Sequence, residues 1–366
     1  MFMRTLIGCC LIHLCIGSVY AMSVLYKPII EHTGWGINVL VYGFALTILT
    51  LGLVASFHQK LFAHVHKKEI LLNAAILWGI ASCLIVDVAI QQPEIGKTIY
   101  YALSIVTGAC IGLLYVIPIN IIGNYGYKRV GMTSGLVVTC FGLGSVIASK
   151  LFLIITLENL IAIYLIYVIT LSVGIWLIEG NDTIESPGDY HCDKAWYAIA
   201  TVFFLNIGVG ISLLSNLTQL SLDTGMNLAE AVGLVAMAGI ANSGGRLIYS
   251  TASDWLGKVE TLVIVLALQL CALVVILHSS YWYIPVLIVI SVYGGVFSIM
   301  PSLMKEIYHE QGSIAYSKVL SMWGFAGMVC PILFTQYGME LLVLMSSLTL
   351  VCMAYAIRYG FSYQGK

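Results

Sequence analysis

The chain has 366 residues, of which 60% are hydrophobic and 9% are charged, and its mean hydropathy is +0.98. A soluble domain carries about 25% charged residues, so this composition excludes a water-soluble protein and predicts an all-α integral membrane protein. The formal net charge of −1 says nothing about partners, because in a bilayer the position of each charge matters more than the sum.

The apolar segments of the chain are separated by short polar or turn-forming breaks. A transmembrane helix needs about 20 apolar residues, and the breaks leave room for twelve such helices. The N-terminal run also has the basic start of a signal peptide, but it continues to Ile30 without a clear cleavage site, so it is interpreted as the first helix. The breaks are 27–35, 58–69, 91–97, 124–129, Glu158, 179–194, 223–230, 254–260, 278–283, 305–311 and 336–340.

The longest break predicts two halves of six helices each: residues 1–178 and 194–366, joined by a central loop, 179–193. Short motifs recur in the same order in both halves, which indicates an internal duplication. Parallel repeats around a central site are a transporter architecture. The matched pairs are Gly112-x5-Pro118 with Gly295-x5-Pro301, Phe141-Gly142 with Trp323-Gly324, and His13…Gly17 with Asn206…Gly210.

The distribution of Lys and Arg predicts the orientation. With the N-terminus inside, all of the 16 basic residues except Lys27, Lys97 and Lys150 lie on or nearest the cytoplasmic side. Cytoplasmic loops carry such an excess of basic residues. We therefore expect a multi-pass protein of the cell (inner) membrane with both termini in the cytoplasm.

Several stretches resemble one transporter family. The twelve helices, six plus six, resemble the major facilitator superfamily, and five stretches are similar to its oxalate/formate antiporter group. In the superfamily's usual pattern the loop between helices two and three carries an Asp and a Gly-Arg pair, but residues 58–68 contain no carboxylate or glycine. The five stretches are Gly17-x-x-Tyr20-x-x-Ser23, 125–135, 141–144, Asn242-x-x-Gly245-Arg246 to Asp254-x-x-Gly257-Lys258, and Tyr293-Gly294-Gly295 to Pro301.

Arg246 lies in the middle of the eighth apolar segment, where an arginine costs roughly 2.5 to 3.5 kcal/mol to insert. It shares a small, polar stripe with Gly239, Asn242 and Ser250, which favours a helix that lines a wet cavity. The resemblance implies that this arginine contacts a substrate carboxylate, with Asn242 beside it. The alternative is that Arg246 extends towards the cytoplasm or pairs with Asp254, about 12 Å further along the helix.

Other binding candidates follow from the resemblance. It implies a cationic lysine on helix eleven, for which Lys318 is the candidate, although Lys318 lies near the start of that helix and could sit at the interface instead. If Lys318 reaches the cavity, a dianion or two-point carboxylate binding is favoured; otherwise a monocarboxylate is. Aromatic residues on the helices that line the cavity in this superfamily are candidate walls, with ordinary helix packing as the alternative: Tyr20, Tyr115, Tyr293, Phe297 and Trp323.

His13 is the candidate for proton coupling, because its unperturbed pKa is near 6.5, although a lone helix histidine more often bonds a neighbour. No buried acid is visible in the middle of helices one, four or seven, which favours exchange or histidine-assisted symport. The helix-eight signature predicts that Asp254, Gly257 and Lys258 take part in conformational gating.

These features predict a secondary transporter that moves a small organic acid anion by alternating access, as antiport or proton-coupled symport. No phosphate-binding loop, HExxH or GxSxG motif is present in the sequence, so catalysis is not expected. The alternatives are a facilitator for a neutral metabolite or drug, with Arg246 structural, and a non-transporting membrane sensor. We expect no cofactor, metal or nucleic-acid partner, a lipid bilayer around the chain, and a monomer.

Overall fold

Membrane-spanning helices make up the molecule. The computed structural model describes residues 2–124, 130–185, 191–278 and 282–360, so the basic stretch at Lys128 and Arg129 lies outside the described residues. Within those ranges, ten helical stretches are long and apolar enough to cross a membrane, and the last of them has 76 residues. A 3-10 turn at His309–Gln311 and a non-helical Gly338 (φ 62°) divide that stretch into three crossings. The prediction of twelve transmembrane helices is confirmed.

The helices are numbered here in chain order, and α3 is extended by a π-helical turn, Ile85–Ile90. They are α1 (Phe2–Thr33), α2 (Ile37–Leu61), α3 (Lys67–Leu84), α4 (Pro93–Asn124), α5 (Val130–Ile154), α6 (Leu160–Leu177), α7 (Lys194–Asp223), α8 (Leu228–Leu256), α9 (Lys258–His278), α10 (Tyr283–Tyr308), and α11 (312–337) with α12 (339–360) inside Gly312–Gly360. Because successive helices cross in opposite directions, Phe2, the loop between α6 and α7, and Gly360 lie on one side, called the central-loop side.

Local sequence explains where the helices near the site begin and end. Asp193 precedes α7 and its carboxylate accepts a hydrogen bond from the backbone N–H of Trp196, which satisfies a donor that the first helical turn leaves open. Asn227 and Glu230 form a reciprocal capping box at the start of α8. Gly257 ends α8 with φ 94°, a left-handed conformation that favours glycine.

One repeated motif lies between corresponding helices of the two halves. Gly112 of α4 faces the backbone of α2 at Leu51, and Gly295 of α10 faces the side chain of Tyr249 of α8. In each case an added Cβ atom would collide with the neighbouring helix, and small residues allow such close approach in membranes. This correspondence agrees with the predicted pair of six-helix repeats.

Close contacts also join the halves to each other. Gly142 of α5 packs on Ser243 of α8, and Gly324 of α11 packs on the backbone of α2 at Leu49 and Gly52. The stretch 141–144 lets α5 approach two other helices closely, because Gly142 lies against α8 and Gly144 lies against α1.

Helix α1 is not a uniform α-helix. Its middle part, Gly17–Leu25, is a 3-10 helix of nine residues, although 3-10 runs longer than three or four residues are uncommon. Two side chains of this part reach the second half: the hydroxyl of Tyr20 bonds that of Tyr293, and the hydroxyl of Ser23 lies 3.0 Å from that of Thr218. These contacts join the halves on the side opposite the central loop.

The loop between α2 and α3, which departs from the superfamily pattern, pairs with the central loop. The backbone N–H of Lys67 donates to the carbonyl of Asp182 over 3.0 Å, and that of Ile184 donates to Val65 over 3.0 Å. The Nδ1 of His66 donates to the carbonyl of Asn181 over 2.8 Å. In this conformation, backbone hydrogen bonds to the central loop hold the loop between α2 and α3, which lacks the carboxylate of the family pattern.

Candidate functional site

A cavity of about 430 Å³ opens on the central-loop side between the ends of α4, α5, α8, α10 and α11. Its mouth carries the charged side chains of Asp254, Lys258 and Lys305. Its inner end is formed by Phe297 and Tyr316, which lie deeper along α10 and α11. The cavity therefore leads from one side of the membrane towards the middle of the bundle.

Arg246 lies directly behind Phe297. Its side chain is 0% exposed, and its Nε donates a 2.8 Å hydrogen bond to Oδ1 of Asn242. The guanidinium carbon is 5.8 Å from the ring centre of Phe141 and 5.1 Å from that of Phe297, within the range of cation–π attraction. These contacts hold the guanidinium between α5 and α10.

The alternative interpretation of Arg246 is wrong. Asp254 forms an ion pair with Lys258 at 3.2 Å, and the Asp254 side chain is 57% exposed. Arg246 is buried two helical turns away, so it neither pairs with this carboxylate nor extends to the surface. Instead, the Arg246 side chain is hydrogen-bonded to Asn242, one turn earlier on the same helix.

The aromatic residues predicted from sequence come together around Arg246. The ring of Trp323 lies 5.1 Å from that of Tyr115 and 4.8 Å from that of Phe297. The ring of Tyr293 lies 5.4 Å from that of Phe297. Edge-to-face pairs at these distances are favourable. The set is called the aromatic cluster, with rings contributed by both halves: Tyr20, Tyr115, Phe141, Tyr293, Phe297 and Trp323.

Polar atoms in and beside this cluster have no hydrogen-bond partner within the described part of the chain. They include NH1 of Arg246, Nδ2 of Asn242 and Nε2 of His13, whereas the Tyr115 hydroxyl interacts with Arg246 and Tyr316, and Trp323 interacts with Tyr20. The guanidinium and amide nitrogens can only donate. Unsatisfied donors therefore predominate around Arg246.

Arg246 also has no buried counter-charge among the described residues. The buried polar side chains described there include serines, threonines, histidines, asparagines and a glutamine, but no Asp or Glu. A buried charge is costly unless it is paired, so this cation is left to be neutralised by something other than the chain.

His13 lies at the edge of the same cluster. Its ring is 5.2 Å from that of Tyr115 and 6.4 Å from that of Phe141, and its Nδ1 donates to the carbonyl of Cys9 over 3.1 Å. The neighbour hydrogen bond expected of a helix histidine is thus present. The same position leaves the imidazole close to Arg246, so the proton-coupling hypothesis stays open.

Lys318 does not join the cluster. It follows the cavity-lining Tyr316 by two residues, which turns it about 200° around α11, and it is half-buried. Its charge acts instead on Cys192 of the central loop: burial raises the pKa of this thiol, and Lys318 opposes the rise. Its closeness to Cys192 puts Lys318 near the central loop, which favours the interface alternative.

The predicted gating residues lie at the cavity mouth. Asp254 and Lys258 line it, and Gly257 makes the left-handed turn between them. The sequence pattern predicted Phe297 as a wall of the site but did not identify two other residues close to the cation: Phe141, whose ring lies beside the guanidinium, and Tyr316 at the end of the cavity. The repeated Phe141-Gly142 motif was the available signal for the first, whereas nothing in the pattern singled out Tyr316.

Comparisons with known proteins agree with the fold. Residues 8–335 match the family model described as Major Facilitator Superfamily. The chain is 22% identical over 334 residues to the Escherichia coli (strain K12) protein named "Uncharacterized MFS-type transporter YhjX", covering 83% of this chain and 80% of the relative.

Two solved structures are similar in fold. The human organic anion transporter MFSD10 (TETRAN) superposes with a TM-score of 0.74 at 12% identity, covering 97% of this chain and 99% of that one. FucP, a Major Facilitator Superfamily transporter in the outward conformation, superposes with a TM-score of 0.68 at 12% identity, covering 97% and 98%.

Proposed function

The chain belongs to the Major Facilitator Superfamily, and we propose that this membrane transporter carries a small organic acid anion by alternating access. The observation that carries the proposal is Arg246, a fully buried cation without a buried acidic partner among the described residues. A carboxylate would neutralise it and accept two parallel hydrogen bonds from the guanidinium fork. A neutral substrate would leave the charge unpaired.

The donors around Arg246 support an anion further. The amide nitrogen of Asn242, the hydroxyl of Tyr115 and the indole nitrogen of Trp323 can each donate a hydrogen bond to a carboxylate oxygen. A hydrogen bond to a charged group contributes about 1.5–3 kcal/mol. The neighbouring rings exclude water, which strengthens these interactions.

The number of cations near the site favours a monocarboxylate. Arg246 lies in the cluster, whereas Lys318 lies beside the central loop. A second carboxylate of a dianion would therefore enter an aromatic site without a second counter-charge. Small monocarboxylates with formate-, lactate- or pyruvate-like chemistry fit this charge balance better than oxalate.

Access to the site supports the alternating mechanism. The cavity reaches Phe297 and Tyr316 from the central-loop side, while the hydroxyls of Tyr20 and Tyr293 join the halves on the opposite side. The charge bias predicts that both termini lie in the cytoplasm, and with that orientation we propose that this is an inward-facing state. Rocking of the two halves about the site would expose Arg246 to each side in turn.

The coupling is proposed to be exchange or proton symport. None of the described buried side chains is an Asp or Glu, so the usual carboxylate proton relay has no candidate among them. His13, beside Tyr115 and Phe141, is the titratable group placed to accept a proton with the substrate.

Counterflow into proteoliposomes tests the proposal. Vesicles loaded with a small monocarboxylate are expected to accumulate the labelled acid, dicarboxylates to compete weakly, and hexoses not at all. Arg246→Gln should abolish the uptake. Lys150→Gln, which removes an exposed cation from the far end of α5, is the matched control and should leave it unchanged. Hexose uptake that survives in Arg246→Gln would favour the neutral-metabolite facilitator instead.

A further inference from the structure

Asn242 makes a direct polar contact to the guanidinium of Arg246. It lies one helical turn earlier on α8, and its Oδ1 accepts the Nε hydrogen bond over 2.8 Å. The two residues are 1% and 0% exposed. Residues four apart on a helix are neighbours on one face, so the helix itself sets this contact without help from another segment.

The guanidinium is held on three sides. Asn242 occupies its Nε edge, and the rings of Phe141 and Phe297 lie beside it. Its aliphatic stem packs against Gly294 of α10, where an added Cβ would come within 3.2 Å of Cγ of Arg246. The atom NH1 is left without a partner. The guanidinium is therefore fixed in one orientation, with a defined edge free for a ligand.

The chemistry of residue 242 sets the charge of the site. A carboxylate at this position could accept the same hydrogen bond, and such a charge-assisted bond is about twice as strong as a neutral one. It would, however, cancel the cation that a substrate anion needs. An amide holds the guanidinium in place and leaves its charge uncompensated.

Titratable groups approach Arg246 from the neighbouring helices, and within the described part of the chain none of these groups is a carboxylic acid. The group that faces it from α5, Phe141, does not titrate. The groups that interact electrostatically with Arg246 are His13 and Tyr20 from α1, Tyr115 from α4, Tyr293 from α10 and Tyr316 from α11. A carboxyl introduced at residue 242 would therefore add an acidic group that these surroundings lack.

We propose that Asn242 is a positioning residue: it aims the guanidinium of Arg246 at the substrate and, being neutral, preserves the positive charge that binds it. The inference rests on the proposed anion transport. It implies that the positive charge of Arg246 is available to bind a substrate without any protonation step at residue 242.

The test uses Asn242→Asp and Asn242→Ala in the full-length protein, with equilibrium binding of a labelled monocarboxylate at about pH 7.5. The Asp side chain should stay ionised beside Arg246 and neutralise it, so this variant should bind roughly ten- to a hundredfold more weakly. The Ala variant loses the hydrogen bond that orients the guanidinium but keeps its uncompensated charge, so its loss of affinity should be clearly smaller.

The outcomes separate the possibilities. Wild-type affinity in Asn242→Asp, or a loss no larger than that of Asn242→Ala, would overturn the role of the neutral amide. If the Asp variant does not fold, the Ala variant decides, because unchanged affinity there removes the positioning role. Thr251→Asp, an equivalent charge change at an exposed position of α8, is the control and should bind normally. Failure of the wild-type protein to bind any acid would refute anion transport itself.

Discussion

The hydroxyls of Tyr20 and Tyr293 are hydrogen-bonded to each other across the boundary between the two halves. Tyr20 lies on the 3-10 part of α1, and Tyr293 lies on α10, whose Phe297 contacts Arg246. The bond closes the side opposite the central loop directly beside the cation. It must break if that side opens.

Removing this bond is expected to shift the conformational equilibrium. Tyr293→Phe keeps the ring but loses a hydrogen bond with a net worth of about 0.5–1.5 kcal/mol, so the state open on the opposite side should gain roughly two- to twelvefold in population. Distances between spin labels on the outer ends of α1 and α7 would measure the shift. Tyr337→Phe, an exposed tyrosine, is the control. An unchanged distance distribution would show that the bond does not hold the halves closed.

Substitution of Arg246 tests the anion site. Arg246→Lys keeps the charge but loses the two-bond fork, so affinity for a labelled acid should fall by about 1.5–3 kcal/mol, or one to two decades. Arg246→Gln should be worse, because no counter-charge remains. Asp254→Asn should leave equilibrium affinity unchanged, since Asp254 pairs with Lys258 and not with Arg246. Normal affinity in Arg246→Gln would end the anion-site hypothesis.

The packing of α5 on α1 predicts the cost of a larger side chain at Gly144. A Cβ there would collide with the carbonyl of Leu14, so Gly144→Leu should force the helices apart and reduce transport or expression while insertion remains intact. Gly233→Leu on α8 is the matched control, because nothing lies within 4 Å of its added Cβ. Equal uptake by both variants would contradict the close contact.

Labelling of Cys192 tests the orientation. With the other cysteines replaced, a membrane-impermeant maleimide should not react from outside intact cells and should react in inside-out vesicles. Burial raises the pKa of this thiol, and the thiolate is the reactive form, so the rate in vesicles should keep rising with pH beyond the range of an ordinary cysteine. Strong labelling from outside would reverse the proposed topology.

Lys318→Gln separates the central-loop role of this lysine from a role in binding. The charge of Lys318 opposes the rise in the pKa of Cys192, so its removal should slow thiol labelling at a fixed pH. Because Lys318 lies outside the aromatic cluster, affinity for a monocarboxylate should change by less than about twofold, as for a typical surface substitution. A loss comparable with that of Arg246→Lys would place Lys318 in the binding site.

Hydropathy alone predicted the twelve helices, because the thickness of the bilayer imposes a length on each apolar segment. The high cost of a buried charge singled out Arg246, and the helical period placed Asn242 on its face. Both inferences depend on contacts within one helix, which the local sequence determines.

Contacts between helices could not be obtained in this way. The rotation of each helix about its axis decides which rings flank Arg246. It also decides that Lys318 lies on the face of α11 away from Tyr316 and close to Cys192. That rotation is set by close approaches such as Gly142 on Ser243 and Gly324 on Gly52. The amino-acid sequence determined the membrane class, the repeat and the buried cation, because these follow from local hydrophobicity and charge. Only the tertiary structure decided which groups surround that cation, because packing between helices distant in the chain sets those neighbours.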